Sequence, residues 1–180
     1  MNKFTSLYLY SLHYVSWSSP SMFTFPDEQS KKWLLEKGSL SRLLAKQCNQ
    51  LNVNLINNQQ VAHKNLLAND VAPLNTSEDC WVREVVLLGD NEPWVIGRTL
   101  IPESTIRDSQ HDLSNQGTTP LGLTVFSADN VKRDGLEVGW ADVDGKPLLA
   151  RRSRLWMDHK PMLVAELFLP HSPIYTQEPV

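Results

Sequence analysis

In three stretches of this chain, one ionisable residue interrupts an apolar β-like pattern. Side chains alternate faces along a strand. Cys80–Leu88 therefore presents Trp81, Arg83, Val85 and Leu87 together, and Trp94–Ile101 presents Trp94, Ile96, Arg98 and Leu100. Met162–Leu169 presents Met162, Val164, Glu166 and Phe168. A buried charge without a partner costs several kcal/mol, so each of these groups needs an opposite charge or a bound ion. Two arginines and a glutamate in apolar surroundings are compatible with a ligand site for a small dianion. A structural ion cluster would satisfy the same pattern. Glu84 reads as structural. Arg151, Arg152 and Arg154 fall on both faces of one strand and read as a solvated strand end rather than a nucleic-acid patch.

Other chemistries find little support. Ser104 and Ser153 lie in no Ser/His/Asp motif, and neither a GxGxxG nor a phosphate-binding loop is present. The five histidines are scattered, with His111 and His159 in loop or turn context, and the two cysteines, Cys48 and Cys80, form no CxxC, so no metal site is expected. Two cysteines are too few for a disulfide framework and fit a reducing, cytoplasmic setting. With 17 Lys+Arg against 20 Asp+Glu, the net charge of −3 makes a poor default nucleic-acid binder. The stretch Phe4–Trp17 lacks the apolar run of a signal peptide, and no segment reaches the ~18 apolar residues of a membrane span. At 180 residues, 41% hydrophobic and 21% charged, the chain is of ordinary globular composition.

The elements that must position these groups can be read in order. Residues 1–26 read as a leader arm and 27–180 as one domain. A helix begins near Asp27 and carries Trp33, Leu34 and Leu35; Gly38 ends it, and Ser39 caps a second bearing Leu40, Leu43 and Leu44. A strand starts at Leu51, and residues 63–78 connect it onward. Cys80–Leu88 and Trp94–Ile101 form a hairpin around Gly89–Pro93. With a Gly89–Glu92 loop, Leu87 would face Trp94 and Arg83 would face Arg98. That like-charge repulsion would be relieved by a bound dianion or by Glu166. Residues 103–127 suggest a short helix or packed loop. Strands then follow at 131–142, 147–157 and 162–169, with turns at Asp144-Gly145-Lys146 and Asp158-His159-Lys160. The expected fold is α+β, a six-stranded antiparallel sheet with helices on one face enclosing a ligand cavity.

An ordered set of segments resembles the bacterial chorismate pyruvate-lyase family. They are Trp81-Val82-Arg83-Glu84, Gly89-Asp90-Asn91-Glu92-Pro93-Trp94, Gly97-Arg98-Thr99 and Thr119-Pro120-Leu121-Gly122. Ala150-Arg151-Arg152-Ser153-Arg154-Leu155, Lys160-Pro161, Glu166-Leu167-Phe168-Leu169-Pro170 and Ser172-Pro173-Ile174-Tyr175 complete the set. The resemblance implies a lyase that removes pyruvate from chorismate to give 4-hydroxybenzoate, the first committed step of ubiquinone biosynthesis. It implies a monomer with helical flaps over an internal cavity, no metal or organic cofactor, and tight retention of the aromatic product. Carried over residue by residue, the carboxylate-binding arginine falls on Arg83 and the acidic residue near the ring hydroxyl on Glu166, which we take as the acid/base group. Leu40 and Leu121 make main-chain contacts, although Leu40 stands where the family commonly has Met. Arg98, within its Gly-Arg-Thr segment, is a second anion-binding candidate. The expected partners are chorismate and 4-hydroxybenzoate, with no nucleic acid and no membrane span. A rival from another class is a non-catalytic sensor that binds an aromatic acid on the same fold. Sensors of that kind normally carry a helix-turn-helix, for which the leader and two short helices are too short and too little basic.

Overall fold

The computed structural model describes residues 2–108 and 131–175. Six strands form one antiparallel sheet: β1 (Leu51–Val61), β2 (Cys80–Gly89), β3 (Glu92–Pro102), β4 (Val131–Val143), β5 (Lys146–Met157) and β6 (Lys160–Phe168). Their order across the sheet is β1-β2-β3-β6-β5-β4. Among the described residues five α-helices accompany it: α1 (Lys3–Leu12), α2 (Glu28–Leu34), α3 (Leu40–Ala45), α4 (Ala68–Val71) and α5 (Glu103–Asp108). The α+β expectation and all six strands are thus found.

The helix starts follow from capping. The Asp27 side chain accepts from the Ser30 amide at 2.7 Å, and Ser39 Oγ accepts from the Arg42 amide at 3.3 Å. Each cap satisfies an amide that has no partner inside the helix. The strands of all three hairpins are joined by two residues with positive φ: Asp90-Asn91, Asp144-Gly145 and Asp158-His159. That geometry matches the twist of the flanking strands, and Asp and Asn tolerate it better than most residues.

The first hairpin differs from the sequence expectation. Its turn is Asp90-Asn91, Gly89 pairs with Glu92, and the register shifts between the Leu88–Pro93 and Leu87–Val95 pairs. Trp94 is the extra residue of this bulge. Its indole lies across Gly89, where a Cβ would overlap the ring. The shift pairs Glu84 with Arg98 and Arg83 with Thr99. The expected Arg83–Arg98 apposition does not occur, because one bulged residue exchanges the faces of everything beyond it.

Both faces of the sheet are covered. On one, Trp33 and Leu34 of α2 and Leu40 and Leu44 of α3 pack against Val85, Leu87, Val95, Leu149 and Phe168. On the other, Leu9 and Leu12 of α1 and the following Val15 pack against Val86, Ile96, Ala165 and Leu167. The segment set apart as a leader arm therefore carries a core-forming helix. Ser11 is buried beside these leucines, its hydroxyl donating to the Leu7 carbonyl at 2.9 Å, so the helix hides polar residues without leaving them unsatisfied. Farther along, Ser18 and Val138 exchange backbone hydrogen bonds and tie the arm to β4. Among the described residues, no helix is long and apolar enough to cross a membrane.

Cys80 is fully buried and Cys48 partly so. Burial, with smaller contributions from Glu78 and Asp79, pushes the Cys80 thiol up to about 11 from 9.0. Between these values the unfolded chain ionises first. The stability contributed by keeping this thiol neutral is complete below pH 9 and is lost as pH rises through about 11. In a thiol titration at pH 8, Cys48 should react in the native protein and Cys80 only after denaturation; equal native rates would contradict this burial.

Candidate active site

A cavity of about 60 Å³ lies between the sheet and α3. One water needs roughly 10–15 Å³ on the same measure, so the space suits a larger guest. Its floor is built from alternate residues of neighbouring strands. β2 contributes Arg83, Val85 and Leu87, β3 contributes Gly97 and Thr99, and β6 contributes Val164 and Glu166. Gly97 pairs with Glu166 in the β3–β6 ladder, and a Cβ on Gly97 would lie 3.3 Å from Val85. The missing side chain leaves room directly beside the carboxylate. Leu40 and Ser41, in the first turn of α3, cover the hollow, and Arg133 of β4 reaches it from the far side.

Arg83 is 2% exposed, and burial lowers its pKa from 12.5 to about 10. It is still a cation at neutral pH, poorly solvated, in the condition that favours taking up an anion. Glu166 is buried and accepts from Arg151 Nε at 3.1 Å. Arg151 is fully buried, and its Nη1 also donates to the carbonyls of Trp33 and Glu36 at 3.3 and 3.0 Å. One guanidinium thus fixes the Glu166 carboxylate and holds the carbonyl end of α2, where a cation is favourable. Arg133 donates to Ser153 Oγ at 2.5 Å and to the Lys37 and Gly38 carbonyls at 3.2 Å each. Its pKa falls to about 10, chiefly by burial and then by repulsion from Arg151, with Glu166 and Glu36 opposing.

The structure brings Arg83, Glu166 and Leu40 to one cavity. Leu121 and His111 lie outside the described residues, and His159 is exposed in its turn. Arg98 is on the opposite face of the sheet. Its Nε donates to Glu84 Oε2 at 2.8 Å and its Nη2 to the Leu9 carbonyl at 2.8 Å. Its Nη1 lies 3.2 Å from His13 Nδ1, which is 2.6 Å from Asp70 Oδ2. The Trp94 bulge is the reason: it moves Arg98 away from the Arg83 face and onto α1. Glu84, held by Arg98 and by Asn57 Nδ2 at 2.7 Å, is structural as expected.

The basic run of β5 corrects the reading of a solvated strand end. Arg151 and Arg152 are both buried; Arg152 pairs with Glu137 at 3.0 Å and lies 4.7 Å over the Trp17 ring. Arg154 pairs with Asp134 at 2.8 Å. Leu149, Arg151, Ser153 and Leu155 repeat the pattern that singled out Arg83, so Arg151 was legible in principle. Three cations in four positions hid it. Arg133, flanked by Lys132 and Asp134, gave no comparable signal.

The antiparallel sheet thus carries two arginines and a tethered glutamate in one small, mostly apolar hollow. The sequence profile of the chorismate lyase family matches residues 11–180, and the chain belongs to that family; it is an enzyme of this kind. A probable chorismate pyruvate-lyase of Vibrio parahaemolyticus is 58% identical over 180 residues, the full length of both chains. One from Bartonella henselae is 40% identical over 150 residues, 83% of this chain and 85% of that one. Among solved structures, a Staphylococcus aureus gene product aligns with a TM-score of 0.52 at 10% identity, covering 78% of this chain and 94% of its own. The effector domain of PhnF from Mycobacterium smegmatis aligns with a TM-score of 0.50 at 13% identity, covering 76% and 91%. At these identities the likeness is one of fold.

Proposed function

We propose that this protein eliminates pyruvate from chorismate to leave 4-hydroxybenzoate, supplying the aromatic acid for ubiquinone synthesis. The observation that carries the reading is the meeting of Arg83 and Glu166 in one covered cavity, in a chain of the chorismate lyase family. Chorismate bears a ring carboxylate, a 4-hydroxyl and an enolpyruvyl ether at C3. Arg83 holds the ring carboxylate. The main chain at Leu40, in the first turn of α3 where amides lack helical partners, and that at Leu121 complete the grip. The C4 proton leaves, its electron pair enters the ring, and the C3–oxygen bond breaks. The enolpyruvate then takes a proton and becomes pyruvate. The change is redox-neutral, and aromatisation drives it. The protein therefore contributes mainly a fixed geometry and a proton path, with Glu166 as the acid/base group.

We place the enzyme in the cytoplasm as a monomer, a setting with which its two free thiols agree. Purified protein incubated with chorismate should yield 4-hydroxybenzoate and pyruvate in equal amounts. Binding of 4-hydroxybenzoate without any conversion of chorismate would replace this reading by that of a sensor.

A further inference from the structure

Arg133 is a cavity residue for which the sequence offered no role. It lines the hollow with Arg83 and Glu166, and it also borders an outer hollow of about 360 Å³ shared with Trp156 and His159. It stands at the boundary between the two. Strand order sets the sequence of charges across this face: Arg83 on β2, Glu166 on β6, Arg133 on β4. Glu166 lies two strands from the strand of each arginine, about 10 Å of sheet on either side. Two long side chains thus converge on the glutamate from opposite flanks. Chorismate carries its polar groups in the same order: ring carboxylate, then the adjacent C4 hydroxyl and C3 ether oxygens, then the enolpyruvyl carboxylate. The aromatic product keeps only the first carboxylate.

Resting on the substrate proposed above, we propose that Arg133 receives the enolpyruvyl carboxylate and is the residue by which the site distinguishes the dianionic substrate from its monoanionic product. Arg133 donates to a hydroxyl and to two carbonyls, and a carboxylate is a stronger acceptor than any of these. The two carbonyls belong to the loop between α2 and α3, so the guanidinium that meets the substrate also ties down the cover. When the C3–oxygen bond breaks, its electron pair departs with the enolpyruvate oxygen. The lowered pKa of Arg133, about 10, still leaves it charged at neutral pH.

The test compares the full-length wild-type protein with Arg133→Gln and Arg133→Lys. Chorismate turnover, calorimetric binding of 4-hydroxybenzoate and Tm are measured for each. In Arg133→Gln, kcat/KM for chorismate should fall about 30- to 1,000-fold, as for loss of one charged contact, while the Kd for 4-hydroxybenzoate stays within about threefold. Arg133→Lys should recover about tenfold of that loss, since it restores the charge without the planar fork. Unchanged turnover overturns the assignment, and so does an equal loss of substrate and product binding, which marks a structural role. Should Arg133→Gln fail to fold, Arg133→Lys decides alone: a substrate deficit with normal product binding supports the assignment, and any other pattern overturns it. A wild-type protein that leaves chorismate intact removes the substrate reading and the role of Arg133 with it. An active wild type beside an unaffected variant removes only the latter.

Discussion

Chorismate turnover by an Arg83→Gln variant is expected to fall in kcat/KM by about 10²- to 10³-fold, with binding of 4-hydroxybenzoate weakened to a similar degree. The reason is the combination of burial and position. Arg83 is 2% exposed and lines the cavity floor, so its contact with a carboxylate is made without competing water. Removing one partner of such a buried, charged contact costs roughly 2–5 kcal/mol, which spans about 30- to 4,000-fold. On the proposed role the ring carboxylate is common to substrate and product, so the loss should fall on both. Gln keeps hydrogen-bonding capacity and removes a poorly solvated charge, so the fold should survive. Turnover and product affinity at wild-type levels would deny Arg83 the role of anion clamp.

The Glu166→Gln variant should behave differently. A general acid or base typically contributes about 10²- to 10⁴-fold, so kcat should fall by that order while product affinity changes little. Gln is close in shape to Glu, and Arg151 retains its bonds to the Trp33 and Glu36 carbonyls, so the end of α2 stays anchored. The comparison of kcat with Kd separates chemistry from binding. Near-full turnover would leave Glu166 only the task of orienting the substrate. A drop in product affinity equal to the drop in kcat would mean that it acts through binding.

These two residues were visible in the sequence because the signal is local. A lone charge with apolar neighbours at i±2 on a strand needs nothing distant to be recognised, and the same holds for Asp27 and Ser39 at helix starts. The cavity partners were harder. Arg151 stood within a cationic run that resembled a solvent-facing edge, and its significance depends on the Glu166 carboxylate fifteen positions away. Arg133 depends on strand order, which brings β4 to the far side of the cavity from β2 although 50 positions separate the two arginines. The helix α1 was masked by its serines and tyrosines; Leu9, Leu12 and the following Val15 are buried in the core, with Leu7 and Tyr8 packed partly buried against it.

Alternation along each strand, the caps and the turn residues were legible in the sequence alone, since each is a property of a few adjacent residues. Which charges share a cavity was decided by the tertiary structure. A single bulge, held by Trp94 lying over Gly89, sends Arg98 to the α1 face and leaves Arg83 to be joined across the sheet by Glu166, Arg151 and Arg133. Register and strand order are set by packing between distant segments, and a shift of one residue exchanges faces at almost no local cost.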